Sequence, residues 1–308
     1  MQSILVTGGA GFIGSNLTLK LQEMYPAARM VVVDDFRSGD FKNLQRYRGD
    51  FVAADVSRLD WQAQFGDRTF DAIFHEASIT DTTVHDQLLQ THDNVEGFRK
   101  LLEFAKPNHT PVVYASSAAT YGIGKPGAMK EDQPTAPANV YAFSKVQLDN
   151  LAREYAARNK TWKIVGLRYF NVYGPRETHK KAAASMIYQL YLQMKAGKRP
   201  RVFKHGEQRR DFVYVKDVVR MTISALQAPK SGIYNCGSGV AFSFNEMIEA
   251  LNRSLNTKLE PDYFENPYSF YQPHTEADLT AAKNDLKYEP EFPPAKGIAD
   301  YVKLLESY

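Results

Sequence analysis

Cysteine is nearly missing from this chain: Cys236 stands alone among 308 residues. One thiol closes no disulfide within the chain and builds no thiolate cluster, so no metal site is expected and a reducing compartment is the natural setting. Cys236 itself reads as a small buried residue in a strand. Long apolar runs are missing too. A bilayer takes about 20 consecutive apolar residues to cross, and no stretch approaches that length. The start also lacks the charged-then-apolar pattern of a secretory leader, so a cytoplasmic protein that does not engage a membrane is expected. Charge of one sign is scarce: 38 Lys and Arg stand against 35 Asp and Glu, a formal net charge of +3. That excess is too small to argue for nucleic acid, although Lys180, Lys181, Lys204, Arg209 and Arg210 gather in the second half. Repeats and low-complexity tracts are absent. What remains, 44% apolar, suffices for one large α/β domain with an appended part, or for two domains.

What is present begins with Thr7-Gly8-Gly9-Ala10-Gly11-Phe12-Ile13-Gly14, placed after the apolar run Ile4-Leu5-Val6 and before a helical pattern. A strand-to-helix turn of this kind suits a dinucleotide diphosphate. Gly8 can take the positive φ of the turn, Gly11 lets backbone N–H groups approach phosphate, and Gly14 lets the helix lie close on the strand. Short β-branched runs then recur at Met30 to Val33, Ala72 to Phe74, Val112 to Ala115 and Ile164 to Leu167, with helical periodicity between them. This alternation predicts an α/β fold built on a Rossmann-type doubly wound parallel sheet. After Gly174-Pro175 the rhythm changes, with a helical pattern from Ser185 to Met194, a short strand at Arg201-Val202-Phe203 and the run Asp211 to Val215. A dinucleotide-binding domain is therefore expected over 1–173, with a later return strand and helix near 211–240. A smaller α/β C-terminal substrate-binding lobe is expected over 174–308. Gly124 to Asn139, with three prolines, reads as an irregular loop able to cover a site.

Several residues carry chemistry. Asp34 and Asp35 close the second strand, where an acid would hydrogen-bond the adenosine ribose and disfavour a 2′-phosphate. Arg37 and Lys42 follow and could neutralise such a phosphate, so NAD and NADP both stay open. Asp55-Val56, after a third strand-like run, is placed to hold the adenine edge, and an ordinary loop aspartate is the other reading. Tyr141 and Lys145 are spaced to share one face of the helix that begins after Asn139. A phenol titrates near 10, so using it as a base at neutral pH costs about 4 kcal/mol, and a nearby ammonium together with a positive nicotinamide has the sign to offset this. Tyr121/Lys125 and Tyr191/Lys195 repeat the spacing. Only Tyr141 opens a helix soon after a strand ending in Ser116-Ser117, whose hydroxyl could bond both substrate oxygen and phenol.

Thr7 to Gly14, Tyr114 to Gly122, Asn139 to Lys145, Arg168 to Glu177 and Arg210 to Val215 together resemble the extended short-chain dehydrogenase/reductase superfamily, within its NAD-dependent epimerase/dehydratase family. His75-Glu76-Ala77 with Asp81-Thr82-Thr83, His179-Lys180, and Tyr271-Gln272 with Thr275 to Leu279 are similar to the ADP-L-glycero-D-manno-heptose 6-epimerases, and the likeness runs nearly end to end. The resemblance implies an isomerase that oxidises carbon 6 of an ADP-bound heptose to a ketone and returns the hydride, supplying lipopolysaccharide inner-core heptose. NADP is the implied cofactor, with NAD possible, one per subunit and tightly bound. The implied assembly is a homo-oligomer, a pentamer in the family pattern. Phe12, Ile13, Asp34, Asp35, Lys42, Glu76, Ala77, Ser78, Ile79, Thr80, Asn94, Tyr141, Lys145, Val172 and Lys180 match cofactor-contacting positions. Tyr141 and Lys180 match the acid/base residues, with Ser117 and Lys145 beside them, and two bases suit a carbon that loses hydride from one face and regains it on the other. Lys180 must then be desolvated, or crowded by Arg176 and Lys181. Ser117, Asn171, Phe203, Lys204, His205, Gly206, Arg210 and Tyr271 match nucleotide-sugar contacts. Arg210 suits a diphosphate by its forked donors, with an ion pair to Asp211 as its alternative. Ala182 and Gln189 stand at substrate-contacting positions where family members often carry serine and sometimes histidine, and Lys181 competes with Lys180 as second base. The neighbouring readings are a UDP-hexose 4-epimerase, which does not need Lys180, a free-standing alcohol dehydrogenase, and a catalytically silent nucleotide-binding scaffold. A 4,6-dehydratase would want an Asp-Glu pair where Ala118-Ala119 stand.

Overall fold

The β-branched runs become strands because each is covered on both faces. The computed structural model describes residues 1–80, 86–123, 127–265 and 273–307. Its strands are β1 (Ser3–Thr7), β2 (Arg29–Asp34), β3 (Asp50–Ala53), β4 (Ala72–His75), β5 (Val112–Ser117), β6 (Ile164–Tyr169), β7 (Asn171–Tyr173), β8 (Arg201–Phe203), β9 (Arg209–Tyr214), β10 (Gly232–Cys236), β11 (Ala241–Ser243) and β12 (Asp262–Phe264). Seven of them form a parallel sheet in the order β10-β6-β5-β4-β1-β2-β3. Alternate side chains go to opposite faces. Ile4, Val6, Val32, Phe74 and Val165 enter one core, and Leu5, Val31, Val33, Ile73 and Ile164 enter the other. Each such side chain, fully withdrawn from water, stabilises the fold by about 1.5–3 kcal/mol.

The helices are α1 (Phe12–Met24), α2 (Trp61–Phe65), α3 (Gln87–Ala105), α4 (Val140–Arg158), α5 (Met186–Lys195), α6 (Val215–Ser224), α7 (Phe244–Leu255), α8 (Thr280–Leu286) and α9 (Pro294–Leu305). Leu17 and Leu21 of α1 and Val218 and Met221 of α6 close the first core, whereas Phe98 and Leu101 of α3 and Leu148 and Leu151 of α4 close the second. This is the doubly wound arrangement that the alternation predicts. Strand order reverses between β1 and β4, so the crevice at the carboxyl ends of these strands is the ligand-binding position of such folds. A buried ion pair anchors α4 to the sheet: Arg168 of β6 donates to Asp149 at 2.9 and 3.1 Å, and Tyr114 of β5 donates to the same carboxylate at 3.0 Å.

In the second half, β11-β9-β7 make a three-stranded sheet and β12-β8 a two-stranded one. The run from Asp211 to Val215 divides, since β9 ends at Tyr214 and Val215 opens α6. The return to the main sheet is made by β10, which lies beside β6 and ends at the buried Cys236.

Candidate active site

The glycine turn is shaped by close approach. Gly8 follows β1 at φ +70°, and a Cβ there would lie 2.4 Å from the Ala77 nitrogen. A Cβ at Gly14 would lie 2.1 Å from the Gly8 carbonyl oxygen. The Gly11 N–H closes the turn on that same carbonyl at 3.1 Å. Helix α1 starts after Gly11 with no side-chain cap, which leaves the N–H groups around Phe12 and Ile13 for an anion and puts the positive end of the helix dipole there. The residues thus fit a dinucleotide diphosphate.

Asp34 is built into this turn. Its carboxylate accepts from the backbone N–H of Ala10 at 2.9 Å and of Phe36 at 2.8 Å, and burial pushes its carboxyl up. Asp35 pairs with Arg37 at 3.1 Å, and Arg37 also reaches Asp55 at 2.9 Å and Asp93 at 2.6 Å. Of the two cations that the sequence offers for a 2′-phosphate, Arg37 is therefore engaged by carboxylates. Lys42 is exposed on a 3-10 turn, its N–H donating to Asp40. Asp55 also accepts from the N–H and hydroxyl of Ser57, and Val56 lies under Gly97 of α3.

The turn after β4 carries Glu76, Ala77, Ser78, Ile79 and Thr80. Asn94 of α3 clamps it, accepting from the Ile79 N–H at 2.8 Å and donating to the Ile79 carbonyl at 3.1 Å and to Ser144 of α4 at 3.0 Å. The Glu76 carboxylate accepts from Tyr169 at 2.9 Å, and Tyr169 meets Thr222 at 3.0 Å. Burial pushes the Glu76 carboxyl up to about 7, opposed by Tyr169 and Lys145. Because the folded value lies above the unfolded one, this group's stabilising contribution is present at low pH and is lost as pH rises through about 7. Glu76→Gln is therefore expected to raise unfolding free energy by on the order of 3 kcal/mol at pH 8 and by little at pH 4.5. Urea titration at both pH values checks this, and an equal gain at the two would contradict it.

Asn139 caps α4 by accepting from the Ala142 N–H at 2.8 Å, which sets Tyr141 and Lys145 on the turns facing the end of β5. Buried Lys145 donates to the Ala115 carbonyl at 2.7 Å, and its Nζ lies 5.8 Å from the Tyr141 ring centroid. Burial pulls its ammonium down to about 8, while Glu76 and Asp149 pull it back. Burial also raises the Tyr141 phenol, and the Ser117 hydroxyl pulls the other way. Burial thus outweighs the Ser117 hydroxyl at Tyr141, and the downward shift expected of an ammonium together with a positive nicotinamide requires that second charge. Ser117, last in β5, is buried and accepts from the Ala119 N–H at 3.1 Å.

Lys180 sits on the 3-10 turn Thr178–Ala183, its Nζ 5.7 Å from the centroid of the Phe12 ring. Burial lowers its ammonium and Glu177 opposes the shift, so desolvation acts here rather than crowding by Arg176 and Lys181. Lys181 and Ala182 are exposed, and the Lys181 carbonyl accepts from Gln189 at 2.6 Å. Three residues that the sequence reading assigns no role hold this turn. Glu177, fully buried, accepts from Gly174, from the Ser185 N–H and from the Ser185 hydroxyl. Asn43 donates to the Ala10 carbonyl at 3.0 Å and meets His179 at 3.2 Å. Asn16 of α1 accepts from Arg176 at 2.8 Å and donates to the Pro175 carbonyl at 2.9 Å. The only local signal was the Arg-Glu pair of the motif.

Among the residues matched to substrate, Asn171 of β7, which is next to Val172, donates to the Asp211 carbonyl at 3.2 Å. Arg209 is paired through its N–H to the Pro273 carbonyl at 3.0 Å, and Thr275 accepts from the Asp211 N–H. Backbone pairing so brings β7, with Asn171, and the 273–275 segment alongside β9, which carries Arg210. The Asp211 carboxylate binds Ser238, Gly239 and Ala277. Phe203 packs edge-on to Phe264 at 5.9 Å. Lys204, His205 and Gly206 form the next turn, where the His205 carbonyl accepts from Asn245 at 2.8 Å. Tyr271, Gln272 and Asp81-Thr82-Thr83 lie outside the described residues. Among the described residues no acid, histidine or cysteine cluster could hold a metal ion, and no helix is long and apolar enough to cross a membrane.

This geometry has relatives. An ADP-L-glycero-D-manno-heptose-6-epimerase of Brachyspira hyodysenteriae is 36% identical over 312 residues, covering 98% of each chain. The crystal structure of a Helicobacter pylori protein of the same name superposes with a TM-score of 0.92 at 42% identity, covering 100% of this chain and 97% of that one. A UDP-glucose 4-epimerase of Thermotoga maritima, solved with UDP-glucose, superposes with a TM-score of 0.91 at 28% identity over 99% of each chain. The family model described as "NAD dependent epimerase/dehydratase family" matches residues 4–237, a span that holds the glycine turn, Ser117, Tyr141, Lys145 and Lys180. The chain is a member of the NAD dependent epimerase/dehydratase family.

Proposed function

We propose that this protein inverts carbon 6 of ADP-glycero-manno-heptose by transient oxidation to a ketone, with one tightly held nicotinamide dinucleotide per subunit. The observation that carries the reading is Lys180: a desolvated amine over Phe12, on a different element from Tyr141, Lys145 and Ser117. A 4-epimerase has no need of such an amine. The dinucleotide, when bound, takes up and returns the hydride and adds a positive charge beside the phenol. Its diphosphate would lie on the N–H groups of Phe12 and Ile13, and its nicotinamide ribose would be held by Lys145. Asp34, Asp35, Lys42, Asp55, Val56, the Glu76 to Thr80 turn, Asn94 and Val172 complete its contacts.

Ser117 orients the carbon 6 oxygen. In one orientation of the sugar, Tyr141 or Lys180 in its base form accepts the hydroxyl proton as hydride leaves carbon. The ketone then presents its other face, and the second of the two groups delivers a proton to oxygen as hydride returns. One group gains a proton and the other gives one up, so the pair exchanges protonation states and resets through solvent, while the hydride removed would be the hydride returned and no coenzyme would be consumed. Arg210 would suit the nucleotide diphosphate by its forked donors, and Asn171, Ala182, Gln189, Phe203, Lys204, His205, Gly206 and Tyr271 are the further substrate contacts that the family resemblance implies. In the cell the product would supply lipopolysaccharide inner-core heptose in the cytoplasm. A homo-oligomer is part of the proposal, supported by the exposed apolar side chains Leu88 and Phe143 on the adjacent helices α3 and α4.

The test is incubation with ADP-D-glycero-D-manno-heptose and, separately, with UDP-galactose, following products by NMR. The expected result is inversion of the ADP-sugar with no net change in coenzyme. Inversion of the UDP-sugar alone would overturn the assignment.

A further inference from the structure

We infer that Arg37, locked among Asp35, Asp55 and Asp93, forms a selectivity element that rejects an adenosine 2′-phosphate, so that the protein prefers NAD to NADP. This rests on the dinucleotide reading of the site and deepens it.

The carboxyl end of β2 is where a Rossmann-type fold meets the adenosine ribose, and Arg37 stands just beyond it. From sequence the arginine suits a phosphate, with its forked donors. In the structure those donors are used. Nη1 donates to Asp93 at 2.6 Å, and Nη2 lies 2.9 Å from Asp55 and 3.1 Å from Asp35.

Each acid comes from a different part of the fold, and each has partners that keep it there. Asp93, on α3, is 5% exposed and also meets His92 at 3.1 Å and the Ser57 hydroxyl at 3.3 Å. Asp55, after β3, accepts from the Ser57 N–H at 2.8 Å and hydroxyl at 2.7 Å. Asp35 accepts from the backbone N–H of Arg37 at 2.9 Å. The loop carrying the arginine is itself pinned, because Phe36 stacks on Phe51 at 5.0 Å and donates its N–H to Asp34. Burial disfavours the Asp93 carboxylate, and Arg37 overcomes that so its carboxyl stays below the ordinary range.

Two consequences follow. Turning Arg37 toward a phosphate would strip the buried Asp93 of its cation, which is strongly unfavourable for a desolvated charge. Left in place, Arg37 shares its three carboxylates with Arg58, which meets Asp55 at 3.5 Å, so the cluster stays net negative by one charge, and a 2′-phosphate brings a further charge of about −1.5 to −2 into that field. A ribose hydroxyl brings none and can donate to an acid.

The test is calorimetric titration of protein stripped of its dinucleotide with NAD and with NADP at one ionic strength, with no turnover involved. NAD is expected to bind at least tenfold more tightly. Asp55→Asn, and Asp55→Asn with Asp93→Asn, are expected to narrow that ratio at least threefold by tightening NADP, and reading both affinities separates a shared loss at adenine from a change in selectivity. Circular dichroism verifies that each variant is folded, and the single variant leaves the buried acid untouched. NADP binding as tightly as NAD to the unaltered chain would overturn the inference, as would an unchanged ratio in a folded variant. Binding of neither dinucleotide by folded, unaltered protein would overturn the dinucleotide reading itself, and this inference with it.

Discussion

Tyr141→Phe is expected to lower the epimerisation rate by about 10²–10⁴-fold, the range lost when a positioned general base is removed, while the dinucleotide still binds. The change deletes one oxygen and keeps the ring, so packing at the start of α4 and the Asn139 cap are retained. What disappears is the titrating group. Among the protein's own groups burial holds the phenol above its ordinary value and Ser117 only partly compensates, while the Lys145 ammonium is itself pulled down to about 8 and donates to the Ala115 carbonyl. On the proposed role the phenol would become an effective base only with the positive nicotinamide beside it, so its titration in binary complexes should lie lower with the oxidised dinucleotide than with the reduced one. Rates measured from pH 6 to 10 on wild type and variant check this. A variant within tenfold of wild type would remove Tyr141 from the base role.

Lys180→Met is expected to have a loss of similar size, again with the dinucleotide retained. Methionine keeps an unbranched apolar stem against Phe12, and the turn is held by Glu177 and the Asn43–His179 contact rather than by the amine. The variant therefore removes a proton carrier without removing the scaffold. Burial lowers the Lys180 ammonium, which raises the fraction of free amine near neutral pH relative to a solvated lysine. Single-turnover measurement with ADP-heptose, together with bound-coenzyme absorbance, reports both proton transfer and cofactor retention. Near-normal turnover would exclude Lys180, and the same loss in Lys181→Met alone would transfer the role to its exposed neighbour.

The helix that carries Tyr141 and Lys145 was legible because its information is local. Asn139 caps, and Tyr141 and Lys145 follow at a one-turn spacing, all within a single helix start. The glycine turn and the short apolar runs of β1, β2, β4, β5 and β6 were legible for the same reason, since strand propensity and turn geometry act between near neighbours. Glu177 was visible only as part of a motif, and its hold on the Lys180 turn required knowing that it is buried.

What the chain's order of residues determined by itself was the parallel sheet, the dinucleotide turn and the candidate acid/base groups, because backbone sterics and the alternation of β-branched runs with helical periodicity need no distant partner. Tertiary structure alone decided the electrostatic state of those groups. Arg37 and Asp93 are 56 positions apart, Glu76 and Tyr169 are 93 apart, and Asn43 and His179 are 136 apart. The rise of the Tyr141 phenol and the capture of Arg37 depend on which charges are desolvated together, and desolvation is a property of packing between elements that no local window of sequence contains.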